Sequence, residues 1–493
     1  MSSPQSPMTD SSRPRLFIFG WDAADWAVIE AGWREGRLEH LHAIAERGQR
    51  GTALSTIPPI TPLAFTSFLT GADPGEHGIF GFVTRGEGYD YLPVPGGARK
   101  VPTLMSRLDR AGYRTALVTF PYTFPAEPLE HGIVIPGWDD PDETFDSIHP
   151  PEVGRALAQV VPKIPRRVNI RAAENLLMEK MTEGTELKAR IARWVIDRLD
   201  PHVFAMVFSE TDHSSHRFWV EGDPSPALVD VYDLVDRTMG EVLKAVRDED
   251  IVLVVSDHGS WPVRTLVHVA PLLAEGGFLT RMARGSRSLP GATEVRMGRG
   301  VGDRDKRRSM FFARMDWPNT RAFPLGDTVI ATGIYVNRAP FPIPAVAADE
   351  YEDVRTKVVD FLSSVEHPDT GERVFQTVAR REDVYHGRAV DLAPDVIVDG
   401  VTGYSPHLGR ILNFRTTFTD VRVGGHRREG IYAASADLGL GGVEPIAGLL
   451  PKVLSTLGFE VAEKAEPGQA TEGYTEEQAR EIERRLQGLG YME

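Results

Sequence analysis

The sequence has no cysteine among its 493 residues, which excludes disulfides and any thiolate metal site. A metal bound by this chain must be held by His, Asp, Glu or hydroxyl oxygen. Basic residues are in short supply as well: 55 Lys and Arg stand against 70 Asp and Glu, a formal net charge of −15. That balance argues against a general polyanion binder, and no nucleic-acid polymer is expected as a partner, although a local basic pocket is compatible with it. Long apolar runs are also missing. After a polar start, MSSPQSPMTDSSRPR, the first apolar stretch is LFIF (16–19), far too short for a signal-peptide core or a membrane span. The expectation is a soluble, cytoplasmic protein with no membrane partner and a disordered lead-in over 1–14.

What is present is an ordinary globular balance, 41% hydrophobic and 25% charged. The chain is long enough for two domains or one large α/β domain with insertions. Several short apolar runs end abruptly in polar residues. RLFIFG (15–20) runs into Trp21 and Asp22, YRTALV (113–118) into TFPYTFP, HVFAMVF (202–208) into SETDHSSH, and DIVLVV (250–255) into SDHG. PDVIV (394–398) and GIYAA (430–434) look similar. Runs of this length, rich in Val, Ile, Leu and Phe, are what a sheet covered on both faces requires. Amphipathic segments lie between them. In PALVDVYDLVDRTMGEVLKAV (226–246), Leu228, Val231, Val235, Met239, Val242 and Val246 recur at three- and four-residue steps.

This alternation predicts a doubly wound, mostly parallel central sheet with helices on both faces. Ligands in such sheets bind beyond the carboxyl ends of the strands. Residues 276–350 break the rhythm and read as an inserted cap or loop region, irregular above all over the Arg-rich stretch 281–314. The catalytic domain is therefore expected over 15–462. A linker and terminal helix fill 463–493, the helix opened by Thr475 and Gln478 at capping-box spacing.

Four strand ends carry the candidate chemistry. The first offers Asp22, the 202–208 run offers Asp212 and His216, and the 250–255 run offers Asp257 and His258. VGGHRREGIY places His426 in a Gly-rich loop before another strand. Asp212 and His216 are four apart and share one face of a helical turn; they read as a metal-binding pair, a catalytic dyad or a polar helix start. Each cluster has an ordinary reading too. Asp22 suits a helix N-cap, SDHG suits a turn, and His426 suits a surface loop. Their conjunction at one sheet edge supplies three carboxylates and three imidazoles, enough for two divalent ions. His213 and His77 are assigned structural or supporting roles. A nucleophile is available in IPPITPLAFTSFLTG (57–71), where Thr61 reads as the N-cap of a short helix with Pro62 at its first position. Free backbone N–H groups and the positive end of the helix dipole would suit an anionic nucleophile and a bound phosphoryl group there. An ordinary capping threonine is the alternative.

GWDAADW (20–26), ITPLAFTSFLTGADPGEHGIFGF (60–82), ETDHSSHRFW (210–219), VVSDHG (254–259) and GGHRREGIY (424–432) occur in this order. Together they resemble the alkaline phosphatase superfamily, in particular its type I phosphodiesterase/nucleotide pyrophosphatase branch. DWPNTRAFPLGDTVIATGIYVN (316–337) and the closing RLQGLGYME are similar to a bacterial subgroup of predicted phosphohydrolases or phosphomutases. The resemblance implies an alkaline-phosphatase-like fold and a metal-dependent phosphodiesterase acting on a small-molecule phosphoester. It implies Thr61 as the nucleophile, with a phosphothreonine intermediate. Two divalent ions are implied: Zn²⁺ suits the donors, and Mn²⁺ or Fe²⁺ also fits. Asp22, Thr61, Asp257 and His258 would hold one, and Asp212, His216 and His426 the other. The chain departs from the pattern at Ala64, where nucleotide pyrophosphatases commonly carry an Asn that holds phosphoryl oxygens. No arginine matches the phosphate-binding arginine of the monoesterases. A phosphomonoesterase, a phosphomutase, and a non-catalytic binding protein for phosphorylated metabolites stand as alternatives. A sulfatase is disfavoured because the chain has no Cys and a different local motif.

Overall fold

The computed structural model describes residues 14–86, 88–89, 91–142, 144–166, 168–282, 315–324, 333–408, 416–463 and 473–488. The lead-in, all but the first two residues of the Arg-rich stretch 281–314, and the interior of the 463–473 linker lie outside them.

Alternation along the first strand sorts its side chains onto two faces. In β1 (Leu16–Trp21), Phe17, Phe19 and Trp21 enter one apolar cluster while Leu16 and Ile18 enter another, and all five are fully buried. Burial on both sides is the mark of a central strand. The eight-stranded sheet around it has the order β17 (Val443–Pro445), β2 (Gln49–Leu54), β16 (Glu429–Ala434), β8 (Ile251–Val255), β1, β7 (Val203–Phe208), β5 (Thr115–Phe120), β6 (Ile133–Pro136). Only β16 runs antiparallel to its neighbours. Helices Trp26–Arg34, Glu39–Arg47, Glu174–Leu199 and Pro226–Leu243 cover the Phe17 face. Thr61–Thr70, Leu104–Arg110 and Ile446–Thr456 cover the other. The fold is thus the expected α/β sandwich, with the Pro226 helix ending at Leu243 rather than Val246.

The remaining strands build smaller sheets. One is four-stranded, in the order β10 (Ala322–Pro324), β11 (Gly333–Val336), β13 (Val396–Gly400), β12 (Phe375–Arg380); its pairings are antiparallel. Another joins β14 (Tyr404–His407), β9 (Gly259–His268) and β15 (Phe418–Arg427), and β3 (Val83–Arg85) pairs with β4 (Tyr91–Pro93). Trp317, Phe323, Ile334, Val358, Leu362, Val396 and Val398 give the four-stranded sheet its own apolar core. Two expectations are corrected here. The PDVIV run forms β13 of this sheet, not a central strand. The described part of 276–350 is likewise not an irregular loop, because it contributes β10 and β11. These strands are only three and four residues long, below the length at which alternation can be read. The terminal helix (Glu476–Gly488) begins as expected: Thr475 N–H donates to Gln478 Oε1 (3.0 Å), and Gln478 N–H donates to Thr475 Oγ1 (3.3 Å). Among the described residues, no helix is long and apolar enough to cross a membrane.

Candidate active site

β8, β1 and β7 are adjacent and parallel, so Asp257, Asp22 and the helix Glu210–Phe218 all emerge at one sheet edge. The loop after β1 is tied to both neighbours. Asp22 N–H donates to Phe208 O (3.0 Å), and Ala23 N–H to Asp257 Oδ1 (3.2 Å). Thr211 Oγ1 donates to Asp22 O (2.6 Å), and Ser260 Oγ to Ala23 O (2.9 Å). Asp25, not Asp22, caps the following helix, accepting from Ala27 N–H. The ordinary reading of Asp22 is thereby removed. Asp212 and His216 lie one turn apart on the Glu210 helix, with His216 Nε2 3.3 Å from Asp212 Oδ1.

His426 arrives from far along the chain. It belongs to β15, not to a loop, and pairs with Ser260 across the ladder. The glycines before it had suggested a loop, but they serve close packing. A Cβ on Gly424 would lie 2.0 Å from Ser215 O and 3.0 Å from His216 Cα; one on Gly425 would lie 2.4 Å from Val263 Cγ2. Backbone contact between β15 and the Glu210 helix brings His426 Nε2 to 3.0 Å from His216 Nε2 and 3.3 Å from Asp212 Oδ1.

Thr61 is fully buried, with Oγ1 3.4 Å from His258 Nε2. Its helix packs close to β1 at Gly20, the last residue but one of that strand, where a Cβ would lie 2.7 Å from Val207 Cγ2 and 3.3 Å from the Phe65 ring. Thr61 is the first helical residue, and the N-cap is Ile60. The expectation of free amides is narrowed along with the register. Pro62 has no N–H, while Leu63 and Ala64 both donate to Ile60 O at 3.1 Å.

The three imidazoles share one arrangement. Nδ1 of His258 donates to Gly259 O (3.1 Å), that of His216 to Gly424 O (2.9 Å), and that of His426 to Pro59 O (2.9 Å). A carbonyl only accepts, so each Nδ1 carries the proton and each Nε2 turns a lone pair inward. Two such lone pairs meet at 3.0 Å between His216 and His426, an arrangement that a shared proton or a cation satisfies. Asp22 Oδ1 and Asp257 Oδ2 are buried and accept no hydrogen bond, which is costly for a carboxylate in a dry pocket.

The acidities follow. Burial, then the charges of Asp257 and Asp212, raises Asp22 well above its ordinary value. Burial chiefly pushes Asp257 up to about 8. Burial opposes ionisation of Asp212 too, yet His216 and His426 beside it hold its carboxyl well below the usual range. Burial, then the neighbouring His426, holds His258 well down. Three carboxylates crowded into one pocket cannot all ionise without added positive charge.

Two sets of side chains place a ligand atom each within 4.8 Å of one another: Asp212, His216, His426; and Asp22, Asp212, His258. Asp257 adjoins the second, with Oδ2 3.3 Å from His258 Nε2. Inward Nε2 lone pairs, Nδ1 atoms anchored to backbone carbonyls and the buried oxygens Asp22 Oδ1 and Asp257 Oδ2 are the donor set of an N/O cation site. All seven expected residues therefore converge, and Asp212 lies between the two sets. His77 stays structural, its Nδ1 accepting from Ile79 N–H (3.1 Å) while Nε2 lies 2.9 Å from Ser67 Oγ. His213 joins neither set.

With this geometry in place, comparison with known proteins is informative. The type I phosphodiesterase / nucleotide pyrophosphatase family matches residues 16–412. The chain belongs to that family. It is a phosphoester hydrolase of the alkaline phosphatase superfamily, whose members use divalent metals. No curated protein sequence matches it closely enough to count as a relative. Among solved structures, phosphonoacetate hydrolase from Sinorhizobium meliloti in complex with phosphonoformate is similar in fold at 15% identity. It has a TM-score of 0.58, over 90% of this chain and 96% of that one. Murine ectonucleotide pyrophosphatase / phosphodiesterase 5, an inactive variant in complex with AMP, is similar at 12% identity and a TM-score of 0.53, over 92% and 97%. A mutant of the alkaline phosphatase PafA follows at 13% and 0.52, over 91% and 96%.

Some site residues gave no sequence signal that was read. Arg427 donates Nε and Nη2 to Asp25 Oδ2 and Oδ1 (2.6 and 2.7 Å), tying β15 to the loop after β1. Lys188 and Glu210 form a buried ion pair behind the site. Lys188 had a legible signal, since it interrupts the buried stripe Leu177, Met181, Thr185, Ala192, Val195 of its helix.

Proposed function

We propose that this chain is a two-metal phosphodiesterase with Thr61 as nucleophile. Asp22, Asp257, His258 and Thr61 would hold one divalent cation, and Asp212, His216 and His426 the other. The single observation that carries the reading is the convergence of three Nε2 lone pairs and three buried carboxylates, with the Thr61 hydroxyl 3.4 Å from one of them, His258 Nε2. Cations bound there would supply Lewis-acid neutralisation of phosphoryl oxygens and acidify a hydroxyl at neutral pH.

The chain's own residues do the rest. The Thr61 helix delivers its oxygen at the mouth of the cluster, and burial of Asp22, Asp257 and His258 excludes bulk water behind it. The Thr61 oxygen bonds to phosphorus as the bond to the leaving alcohol breaks, and the threonine proton ends on that alcohol. Water then cleaves the phosphothreonine, releasing a phosphomonoester and restoring the hydroxyl. Ala64 adds no polar group beside the phosphoryl oxygens. With the Leu63 and Ala64 amides engaged at Ile60 O, those two groups add nothing to oxyanion stabilisation, which falls chiefly to the cluster. A small phosphorylated molecule is the proposed substrate class, in keeping with the phosphonoformate and AMP bound by the two similar structures.

The test compares bis-p-nitrophenyl phosphate with p-nitrophenyl phosphate in the presence of Zn²⁺ or Mn²⁺, for wild type and Thr61→Ala. The proposal expects faster turnover of the diester, abolished in the variant while metal content holds. Full activity in Thr61→Ala would remove the covalent step. Preference for the monoester would shift the reading to a phosphomonoesterase.

A further inference from the structure

The Glu210–Phe218 helix carries two proposed ligands, Asp212 and His216, yet it starts weakly. Its N-cap, Ser209, makes no side-chain capping bond. Besides the Thr211 Oγ1 bond to Asp22 O (2.6 Å), the first turn is held by an ion pair. Lys188 Nζ, from the middle of the 26-residue helix Glu174–Leu199, donates to both Glu210 Oε1 and Oε2 at 2.9 Å. Lys188 is 5% exposed and Glu210 3%. The same ammonium stands 5.9 Å from the ring of Phe208, the last residue of β7. Gly184, one turn before Lys188, flanks the pair: a Cβ there would stand in ordinary contact with Glu210 Oε1, at 3.5 Å. The lysine helix is itself anchored through Leu177, Met181, Ile191, Ala192 and Val195 in the larger apolar cluster. The pair thus links a rigid element to the turn from which Asp212 points.

We infer that Lys188 is a positioning residue for the cation site: its grip on Glu210 sets the register and tilt of the helix bearing Asp212 and His216. This rests on the two-cation reading above. Two effects of the lysine oppose each other, and their signs separate them. Its positive charge reaches Asp22, so by charge alone it repels a divalent cation, and removing it would tighten binding. As a tether it preorganises the ligands, and removing it would loosen binding; loss of a supporting partner of this kind typically weakens metal affinity 10–100-fold. Both partners are dry and the carboxylate is held by two short bonds, so the geometric effect dominates.

The experiment titrates the full-length protein with Co²⁺, followed by its visible absorption, and with Zn²⁺ against a chelator. Wild type, Lys188→Met and the double variant Lys188→Met/Glu210→Leu are compared, and melting without metal is recorded for each. The expected result is a loss of Co²⁺ and Zn²⁺ affinity of at least about tenfold in Lys188→Met, with an altered Co²⁺ spectrum. The double variant removes the stranded carboxylate and recovers thermal stability, while its affinity stays low. Unchanged or tighter binding in Lys188→Met would overturn the inference, as would recovery of both affinity and stability in the double variant. A wild type that takes up no cation would instead sink the two-cation reading itself.

Discussion

Replacing Gly424 by alanine isolates the contact that joins the distant parts of this site. The new Cβ would lie 2.0 Å from Ser215 O, 2.5 Å from Ser215 C and 3.0 Å from His216 Cα. These are backbone atoms, which cannot rotate away. Restoring ordinary contact requires β15 to move from the Glu210 helix by on the order of 1 Å. Three distances open together: His426 Nε2 to His216 Nε2 (3.0 Å), His426 Nε2 to Asp212 Oδ1 (3.3 Å), and His216 Nδ1 to Gly424 O (2.9 Å). A displacement of about 1 Å in a catalytic constellation costs roughly 100-fold in rate, and loss of the carbonyl that orients a ligating imidazole costs about 10–100-fold in metal affinity. Overpacking should also lower stability by about 1–3 kcal/mol. Chelator competition, steady-state turnover of a diester and urea unfolding would measure all three. Gly442→Ala is the control, since a Cβ there meets nothing within 4 Å. Wild-type affinity and turnover in Gly424→Ala would refute the argument that this close approach assembles the site.

Further outcomes follow from the same geometry. Asp212 belongs to both ligand sets, so Asp212→Asn should weaken both cations, whereas His426→Ala should weaken chiefly one; stoichiometry by elemental analysis separates them. Arg427→Met would leave the buried Asp25 carboxylate without its two guanidinium bonds, and denaturant unfolding should show a loss of about 2–4 kcal/mol. Asp139 is buried, accepts from Tyr122 N–H and Phe124 N–H, and is pushed up to about 7 chiefly by burial. Its folded-state pKa lies above the unfolded value, so the folded state retains a proton that the unfolded chain releases. Stability from this group is therefore present at acidic pH and lost as pH rises from about 4 to 7. A variant pair, wild type against Asp139→Asn, should differ in the slope of stability over that window.

The central strands and the residues at their ends were legible because two-sided burial makes each strand a continuous apolar run that stops where chemistry begins. Asp22, Asp212, Asp257 and His258 sit one to four residues beyond such stops. Features that depend on a second segment were less visible. His426 was assigned to a loop because Gly424 and Gly425 lower strand propensity, and only the packing of β15 on the Glu210 helix shows why glycine is needed. The one-residue error at Thr61 arose because Ile60, with no capping side chain, nevertheless supplies the carbonyl that opens the helix. β10 and β11 were hidden by their brevity. Lys188 lies outside every strand-end motif, and its one sign in the sequence is a charge within an apolar helical stripe. The sharing of Asp212 between the two ligand sets is a property of three-dimensional placement and has no counterpart in spacing.

The central claim is that three carboxylates and three imidazoles form a cage for two divalent cations beside Thr61. Elemental analysis of protein loaded with Zn²⁺ or Mn²⁺ and freed of excess by gel filtration tests it most directly. The account predicts two equivalents per wild-type chain, largely retained in Thr61→Ala, which keeps three of the four ligands of that cation, and largely lost in Asp212→Asn. Retention of two equivalents by Asp212→Asn, or none by wild type, would contradict it.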